Sequence, residues 1–548
     1  MSSYPAHIAD RIETWLNGAY DAATKEEIRH LLATDPAQLA DAFSAHLTFG
    51  TGGMRGLMGV GTCRLNSYTI QFATQGLADY LLQGKKNPSV LIGFDSRHHS
   101  QEFAETAARV LAGNGITVYF LPKLRPTPYV SFGCRHYGCD AAIMITASHN
   151  PKQYNGYKVY GSDGAQVVHP QDTAIVKAAE KISSPEQVKL VTFDSPLIHL
   201  VDLEACDNAY LDAIKPLQRA FPKGDAPSIV YTSLHGTGIT LAPRALAQWG
   251  FTTCHLVPIQ TEPNGDFPTT PFPNPEDRKA LDLGLVAMKE HHADLLIAND
   301  PDADRIGIAC QHKGQPFMFN GNQIAVLCVD YLCEVMPTKG TFVTTIVSTD
   351  LIRKIAESNG FSCVEVLTGF KYIGEKIREW ESTGERFVFG AEESYGYLLG
   401  TASRDKDGIV TACLIAEMTL YAKRANQTLV DRLYQIYKHY GVYLDGQTSI
   451  EKGMEAMTAW MHRLRTSPLK EIAGIAVIAQ TDYLPRADVL ALHLEEGSRV
   501  IIRPSGTEPK IKIYASTHCP PHDDVEGQMA TCDKTLQRLL NFWKTHDA

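Results

Sequence analysis

The sequence predicts an α/β protein with three similar α/β domains and a smaller α+β domain at the C-terminus. Its 548 residues correspond to three or four domains of ordinary size. Short apolar strands alternate with amphipathic helices in three successive cycles, a pattern typical of parallel sheets covered by helices. After the third cycle, helical stripes at 450–466 and 533–544 flank the strand-like segments GIAVIA, RVIIR and KIKIY. The last part of the chain therefore predicts a different, α+β arrangement.

Residues 5–47 precede the first cycle. Their sequence pattern predicts helices that contribute to packing. Thr24 and Glu27 have the spacing of a capping box at a helix start. Asp35 followed by Pro36 has the pattern of an N-cap residue with proline at the first helical position.

Each of the three cycles ends in a polar loop that directly follows an apolar strand. The first cycle contains SVLIGF, ITVYF and DAAIMITA, the second APSIVYT, FTTCHLV and ADLLIA, and the third TFVTTIV, SCVEVL and RFVFG. The loops that follow are TASHNP, NDPDADR and GAEESYG. Ligands of open α/β sheets bind beyond the carboxyl ends of the strands. We therefore expect these loops to converge on one central cleft.

Composition and charge exclude several classes of protein. Lys and Arg total 51 against 61 Asp and Glu, a net charge of −10, which disfavours a nucleic-acid binder. No apolar run approaches the roughly 18–20 residues that span a bilayer, and the N-terminus lacks the apolar core of a secretory signal. The twelve cysteines include no CxxC pair and suggest reduced thiols. We expect a cytoplasmic protein with no membrane or nucleic-acid partner.

Ser148, in the loop TASHNP, lies where an apolar strand changes to a polar loop. A serine at such a place can be an exposed nucleophile or phosphate carrier, and it can equally cap a turn. No GxSxG motif surrounds it, so the sequence does not support an α/β-hydrolase triad. His149 and Lys158 are close enough in sequence to flank the same site.

NDPDADR places Asp300, Asp302 and Asp304 at alternate positions directly after an apolar strand. Carboxylates this close repel one another unless a cation lies between them, and oxygen-only ligands suit a hard cation such as Mg²⁺. The alternative is a solvated acidic turn; the tight spacing favours the metal site.

Three further loops carry weaker signals. RPSGTEPK contains a cation, two hydroxyls and a flexible backbone, which suits phosphate oxygens or, equally, a tight β-turn. GAEESYG has a carboxylate and a hydroxyl two positions apart, so both can face one side of an extended segment. Such a pair can bind vicinal sugar hydroxyls, although an ordinary turn has the same composition. FGTGGMRG places Arg55 in a glycine-rich loop.

Together these loops, in this order, resemble the α-D-phosphohexomutase superfamily, from about residue 47 to 515. The motifs GAEESYGY and RDKDG are most similar to those of the longer bacterial phosphoglucomutases, near the glucomutase-2/phosphopentomutase branch. The resemblance implies a four-domain fold around a central cleft. With it we predict domains at 1–200 (helical extension and phosphoserine domain), 201–311 (metal-binding loop), 312–441 (sugar-binding loop) and 442–548 (phosphate-binding domain).

The resemblance also implies roles for individual residues. Ser148 would carry the phosphoryl group and would ligate Mg²⁺ together with Asp300, Asp302 and Asp304. Arg55, His149 and Lys158 would lie beside the transferring phosphate, with Lys158 as a general acid or base. The residues that would bind substrate are Thr368, Gly369, Glu392, Ser394, Lys406, Arg305, Arg503, Ser505, Gly506 and Thr507.

The reaction implied is the interconversion of α-D-glucose 1-phosphate and glucose 6-phosphate through a phosphoserine enzyme. Glucose 1,6-bisphosphate would be the intermediate and activator, and the partners would be small sugar phosphates bound by a monomer or homodimer. Many dual glucose/mannose members have histidine just after the Ser-Gly of the sugar loop. Here Ser394 is followed by Tyr395, which favours a glucose-type enzyme.

Several alternatives remain open from the sequence. The same loops would serve a phosphomannomutase, a phosphopentomutase or a glucose 1,6-bisphosphate synthase. A metal-dependent phosphatase would need groups that activate water, and no His-rich bimetal cluster is evident. A non-catalytic sugar-phosphate binder would be expected to lose Ser148 or one of the aspartates, and this chain keeps them all.

Overall fold

A computed structural model describes residues 4–47, 49–50, 53–505 and 510–545. The chain forms two compact units. The first consists of Met1–Gln311, Gly369–Glu385 and Gly396–Leu420, and the second of His312–Thr368, Arg386–Tyr395 and Tyr421–Ala548. Among the described residues, no helix is both long enough and apolar enough to cross a bilayer.

The helices of the described residues are, in chain order, α1 (Ala6–Asn17), α2 (Ala22–Thr34), α3 (Pro36–Ala42), α4 (Ser67–Gly84), α5 (Ser100–Gly113), α6 (Thr127–His136), α7 (Gln171–Ala179), α8 (Leu203–Ile214), α9 (Ala242–Gln248), α10 (Arg278–Glu290), α11 (Gly321–Val335), α12 (Leu351–Ser358), α13 (Phe370–Thr383), α14 (Gly408–Arg424), α15 (Leu429–Tyr440), α16 (Met454–Thr466) and α17 (Val525–Thr545).

The strands of the described residues are β1 (Phe49–Gly50), β2 (Gly53–Leu57), β3 (Ser89–Phe94), β4 (Thr117–Phe120), β5 (Ala141–Ile145), β6 (Tyr154–Gly161), β7 (Ile198–Leu200), β8 (Ile229–Thr232), β9 (Cys254–Leu256), β10 (Leu295–Asn299), β11 (Ile306–His312), β12 (Gln315–Met318), β13 (Thr341–Thr345), β14 (Ser362–Val366), β15 (Phe387–Glu392), β16 (Gly396–Leu399), β17 (Val442–Glu451), β18 (Glu471–Ile472), β19 (Ile475–Asp482), β20 (Leu490–Leu494), β21 (Arg499–Pro504) and β22 (Lys510–Cys519).

The N-terminal helices α1–α3 form a small apolar core of their own, as their sequence pattern predicts. Asp35 caps α3 by accepting a hydrogen bond from the Gln38 backbone N–H, and proline occupies the first turn. The predicted capping box at Thr24 is wrong. Asp21 is the N-cap of α2 and accepts from the Thr24 backbone N–H at 2.8 Å, so the helix begins one turn earlier.

The first sheet has the strand order β1-β2-β6-β5-β3-β4-β7. Strands β3, β4, β5 and β7 pair in parallel, as the alternation of strands and helices predicts. Strand β6 is antiparallel to β5, and β2 is antiparallel to β6. The sequence pattern did not predict these two strands, because YNGYKVYG and GMRGL follow polar, glycine-rich loops and lack a continuous apolar run.

The second sheet has the order β12-β11-β10-β8-β9, with β8, β9 and β10 parallel and β11 antiparallel to β10. The two loops with the strongest chemical signals therefore connect antiparallel neighbours: one joins β5 to β6 and the other joins β10 to β11. Both loops leave the carboxyl end of a fully buried strand. The loops span residues 146–153 and 300–305, so each is anchored at both ends by a pair of hydrogen-bonded strands.

The second unit contains a parallel arrangement of β14, β13 and β15 and a separate antiparallel sheet in the order β17-β22-β21-β20-β19-β18. Helices α16 and α17 pack on the antiparallel sheet through a core that includes Trp460 and Trp543, whose rings meet edge to face. The α+β character predicted for the C-terminal part is confirmed.

Candidate active site

Ser148 lies in the connection between β5 and β6 and is 3% exposed. Its φ of 51° is in the left-handed region, a conformation that costs a non-glycine residue on the order of 1–3 kcal/mol. The Ser148 N–H donates to Thr146 Oγ1 at 2.8 Å, and Ser148 Oγ donates to Asp300 Oδ2 at 2.7 Å. His149 Nδ1 is 3.1 Å from the same hydroxyl. The strained turn thus directs the hydroxyl toward the aspartate loop.

Asp300, Asp302 and Asp304 form a compact carboxylate cluster at the β10–β11 turn. All three are buried, and one oxygen of each lies within 4.8 Å of the others. Asp302 Oδ1 and Asp304 Oδ1 are buried and accept no hydrogen bond. Buried carboxylate oxygens without partners are costly, and a hard cation removes that cost. The cluster can hold a metal ion.

The three carboxyl groups differ in how their charge is balanced. Burial and the negative charges of Asp302 and Asp304 raise the pKa of Asp300 well above its usual value. Burial also opposes ionisation of Asp304, but Lys158 and Lys406 outweigh it and lower the pKa of that carboxyl. An added cation would favour ionisation of all three groups.

Two lysines neutralise the negative charge of this cluster at the Oδ2 atoms of Asp302 and Asp304. Lys158 Nζ, on β6, is 2.9 Å from Asp302 Oδ2 and 3.0 Å from Asp304 Oδ2. Lys406 Nζ is 3.2 Å from Asp304 Oδ2 and 3.1 Å from Asp405 Oδ1. Burial acts to lower the pKa of Lys158, but the nearby carboxylates prevail and the pKa is raised. Lys158 is therefore a protonated cation here, suited to neutralise negative charge.

His149, Arg305 and Arg55 complete the predicted phosphate side of this unit. The Arg305 N–H donates to Asp300 Oδ1 at 2.9 Å, and its guanidinium pairs with Glu276. Arg55, on β2, is exposed and donates from Nη1 to Asn150 Oδ1 at 3.2 Å. Burial and the neighbouring cations Arg305 and Arg55 lower the pKa of His149 well below its usual value, so the imidazole is neutral near pH 7.

Arg97 contacts the Ser148 loop and was not singled out by the sequence reasoning. It is 3% exposed, and its guanidinium lies over the Phe267 ring at 5.1 Å and is paired with Asp95 at 3.3 Å. The guanidinium donates to backbone carbonyls of the loop between β5 and β6 and of the start of β6, those of Ser148, Asn150, Pro151 and Tyr154. The sequence signal that could have identified Arg97 is the segment GFDSRH. In it, Asp95 and Arg97 follow an apolar strand, as Ser148 does.

Substituting Arg97 by lysine is expected to lower kcat on the order of 10²-fold with a smaller change in KM. Lysine keeps the charge but loses the planar fork that fixes several carbonyls at once, and misplacing a reacting atom by about 1 Å costs that much. Steady-state kinetics separate kcat from KM. Arg125→Lys is the matched control, because Arg125 is also buried and pairs with an aspartate, Asp207. Equal losses in both variants would contradict a positioning role for Arg97.

Thr127, at the start of α6, is a second residue that was missed. Its N–H donates to the Asp302 carbonyl at 2.8 Å, and its Oγ1 donates to Asp302 Oδ2 at 2.7 Å. Thr127 and Lys158 thus both engage Oδ2 and leave Oδ1 unpartnered. No sequence signal distinguished this threonine, since it belongs to an unremarkable RPTPY segment.

The predicted sugar-loop residues lie in the second unit. Glu392, at the end of β15, is 6% exposed, and Ser394 follows in the half-buried turn. Thr368 is half-buried, and its Oγ1 neither donates nor accepts a hydrogen bond. Gly369 belongs to the first unit, where it precedes α13 with a φ of 122° that L side chains rarely adopt. The roles predicted for these residues stay predictions.

The predicted phosphate loop joins β21 to β22. Arg503 is the penultimate residue of β21 and pairs with Lys512, and the Ser505 N–H donates to the Lys510 carbonyl at 2.9 Å. Gly506 and Thr507 lie outside the described residues. Burial and the charge of Glu393 raise the pKa of Tyr514 to about 12, while Arg503 opposes the shift.

Glu393→Gln is expected to stabilise the second unit most at high pH. Burial and the adjacent Glu392 raise the pKa of Glu393 from 4.5 to about 7. The folded state then retains a proton that the unfolded state releases between these values, so wild-type stability falls as pH rises through 7. Denaturant unfolding at pH 5, 6.5 and 8 should show a stability difference that grows with pH. The exposed Glu357→Gln is the control for general charge effects; parallel curves for wild type and Glu393→Gln would contradict the prediction.

Comparisons with known proteins agree with the architecture described above. Four family models match: phosphoglucomutase/phosphomannomutase alpha/beta/alpha domain I at residues 46–186, domain II at 208–314, domain III at 320–440 and the C-terminal domain at 461–527. The chain is 38% identical over 538 residues to a phosphoglucomutase of Staphylococcus aureus, covering 94% of this chain and 96% of that protein. It is also 38% identical over 510 residues to a phosphoglucomutase of Staphylococcus haemolyticus, covering 88% and 92%.

Solved structures show the same fold at low sequence identity. Parafusin, a phosphoglucomutase from Paramecium, superposes with a TM-score of 0.70 at 20% identity, covering 91% of this chain and 95% of that one. A phosphoglucomutase/phosphomannomutase family protein of Burkholderia thailandensis gives a TM-score of 0.66 at 19% identity, covering 91% and 98%. The predicted fold class is confirmed: three α/β/α domains and a C-terminal domain with an antiparallel sheet. The chain belongs to the phosphoglucomutase/phosphomannomutase family.

Proposed function

We propose that this protein is a phosphoglucomutase that interconverts α-D-glucose 1-phosphate and glucose 6-phosphate through phosphorylated Ser148. The observation that carries the proposal is the buried contact of Ser148 Oγ with Asp300, in the same cluster as Lys158 and Lys406. Full-length similarity to relatives named phosphoglucomutase confirms the predicted enzyme class, an isomerase acting by intramolecular phosphotransfer.

The donor set of the aspartate cluster fits Mg²⁺. Asp300, Asp302 and Asp304 offer only oxygen ligands. Two of these oxygen atoms, Asp302 Oδ1 and Asp304 Oδ1, are buried without a hydrogen-bond partner, and phosphorylated Ser148 would add a further oxygen. When bound, the ion would neutralise charge on the transferring phosphoryl group.

The chain's own residues then have distinct tasks. In the first half-reaction the bond between Ser148 Oγ and phosphorus breaks, and the phosphoryl group passes to the 6-hydroxyl of glucose 1-phosphate. The product is glucose 1,6-bisphosphate. In the second half-reaction the phosphoryl group on C1 returns to Ser148 and leaves glucose 6-phosphate. Lys158 and Arg55 would balance the charge of the moving group, and positioning with charge neutralisation accounts for most catalysis of this kind.

Proton transfer would use the groups beside Ser148 Oγ. The 6-hydroxyl must lose a proton as it bonds to phosphorus, and Ser148 must gain or share one as it leaves. His149 Nδ1 is 3.1 Å from the Ser148 hydroxyl, and Lys158 is paired with Asp302 and Asp304 of the neighbouring loop. We assign Lys158 as the general acid or base and His149 as a residue beside the transferring phosphate.

Binding of the sugar and of the non-reacting phosphate would fall to the other predicted residues. Glu392 and Ser394 suit vicinal hydroxyls, and we also assign Thr368 and Gly369 to substrate binding. Arg503, Ser505, Gly506 and Thr507 suit the phosphate that does not react, while Lys406 and Arg305 supply further cations. Tyr395 after Ser394 supports glucose as the preferred hexose. A cytoplasmic location and a monomer or homodimer remain predictions.

The direct test is a coupled assay of the purified protein with Mg²⁺ and trace glucose 1,6-bisphosphate. Glucose 1-phosphate should give glucose 6-phosphate at a higher kcat/KM than mannose, glucosamine and ribose 1-phosphates give their own products. Absence of glucose 6-phosphate would refute the proposal. A higher kcat/KM with ribose 1-phosphate would identify a phosphopentomutase, and with mannose 1-phosphate a phosphomannomutase.

A further inference from the structure

Two cysteine sulfurs in the C-terminal domain lie unusually close together. Cys519 ends β22 and Cys532 lies in α17, and their Sγ atoms are 2.8 Å apart. Cys519 is 9% exposed and Cys532 is 1% exposed. All twelve cysteines of the chain are free thiols, so this is a reduced dithiol.

The pair is held in place by backbone contacts on both elements. Thr517 Oγ1 donates to the Cys532 carbonyl at 3.2 Å, and Cys532 Sγ is 3.7 Å from the Val442 carbonyl. Val442 begins β17 and pairs with Cys519 in the antiparallel ladder. The sulfurs therefore lie where the chain enters the C-terminal sheet.

We propose that Cys519 and Cys532 are a redox modification site, which a small hydroperoxide converts to an intramolecular disulfide. A disulfide bond is about 2.05 Å long, so the sulfurs need to approach by only about 0.8 Å. The proposal is independent of the mutase activity.

Access distinguishes the roles of the two thiols. The neighbouring segment 520–524 is exposed and Cys519 is the more exposed residue of the pair, so a molecule as small as hydrogen peroxide reaches it first. Burial and the neighbouring Cys519 raise the pKa of Cys532 to about 12, which keeps it a thiol until its partner is oxidised. Cys519 is then the attacking sulfur and Cys532 the resolving one.

The chemistry balances with one equivalent of hydroperoxide. Cys519 attacks one peroxide oxygen, the O–O bond breaks, and Cys519 becomes a sulfenic acid while one water leaves. Cys532 then attacks the Cys519 sulfur, the S–O bond breaks, and the hydroxyl leaves with the thiol proton as a second water. Two thiols are oxidised to one disulfide as the peroxide is reduced to two waters.

The test treats the full chain with equimolar hydrogen peroxide, followed by thiol alkylation and non-reducing peptide mapping. We expect a cross-link between the peptides that contain Cys519 and Cys532, reversed by dithiothreitol. The bond closes a short loop, so unfolding of the oxidised C-terminal region should shift upward by roughly 5 °C. Ligand-free protein suffices, so failure here is distinguishable from failure of the mutase assay.

Variants make the assignment specific. Cys519→Ser and Cys532→Ser should each abolish the cross-link, whereas Cys254→Ser, at a half-buried cysteine of the first unit, should retain it. If either serine variant fails to fold, wild type with and without dithiothreitol carries the test. Full alkylation of both cysteines after peroxide, or sulfinic acid at Cys519 without a cross-link, would overturn the proposal.

Discussion

Ser148→Ala should lower mutase activity by at least roughly 10⁴-fold, because it removes the atom that carries the phosphoryl group. The alanine side chain fits the same buried turn, so folding should be retained. The expected result is measured in two ways: by the coupled assay, and by incubation with phosphate-labelled glucose 1,6-bisphosphate. Wild type should acquire covalent label and Ser148→Ala should acquire none.

The matched control is Ser382→Ala, at an exposed serine in α13 of the same unit. It should incorporate label as wild type does. Label retained by Ser148→Ala would show that another residue carries the phosphoryl group. Loss of label with normal mutase activity would contradict a covalent mechanism altogether.

The second large effect concerns the carboxylate cluster. Asp302→Asn keeps the shape of the side chain but removes one charge and replaces an oxygen that has no partner, so activity should fall roughly 10²-fold or more. Metal binding has a readout of its own. At a concentration of Mg²⁺ near 100 times Kd, the wild-type unfolding temperature should rise by about 5 °C, and the variant should show little shift.

Asp282→Asn, at an exposed aspartate of α10, is the control for loss of a negative charge in the same domain. It should keep both activity and the Mg²⁺-dependent shift. An equal shift in wild type and Asp302→Asn would place the ion elsewhere. Chelator treatment of wild type should reproduce the loss of activity, and added Mg²⁺ should restore it.

The strongest parts of the fold and site were predictable because they depend on local patterns. Apolar strands run directly into TASHNP and NDPDADR, and this pattern marks Ser148 and the three aspartates, although the two strands belong to different sheets. The antiparallel strands β6 and β11 were not predictable from alternation with helices. They matter because β6 carries Lys158 back to the aspartates.

The residues that were missed act through backbone atoms or across domains. The Arg97 guanidinium binds backbone carbonyls. Every residue has a backbone carbonyl, so these partners leave no recognisable pattern in the amino-acid sequence. Thr127 reaches Asp302 over a separation of 175 residues, a contact that only the packed structure specifies. The error at Thr24 has a similar origin: both Asp21 and Thr24 are good caps, and the start of the helix decides which one is used.

The charge balance of the aspartate loop also bears on the order in which the chain acquires structure during synthesis. The loop at 300–304 is paired with one cation made earlier, Lys158, and one made later, Lys406. Domains fold largely as they emerge from the ribosome, N-terminal first. A nascent chain that has reached the end of the second sheet therefore holds these carboxylates with only half of their lysine partners. Final burial of the loop must wait for about 100 further residues, so translation past Lys406 sets the earliest moment at which the site can form.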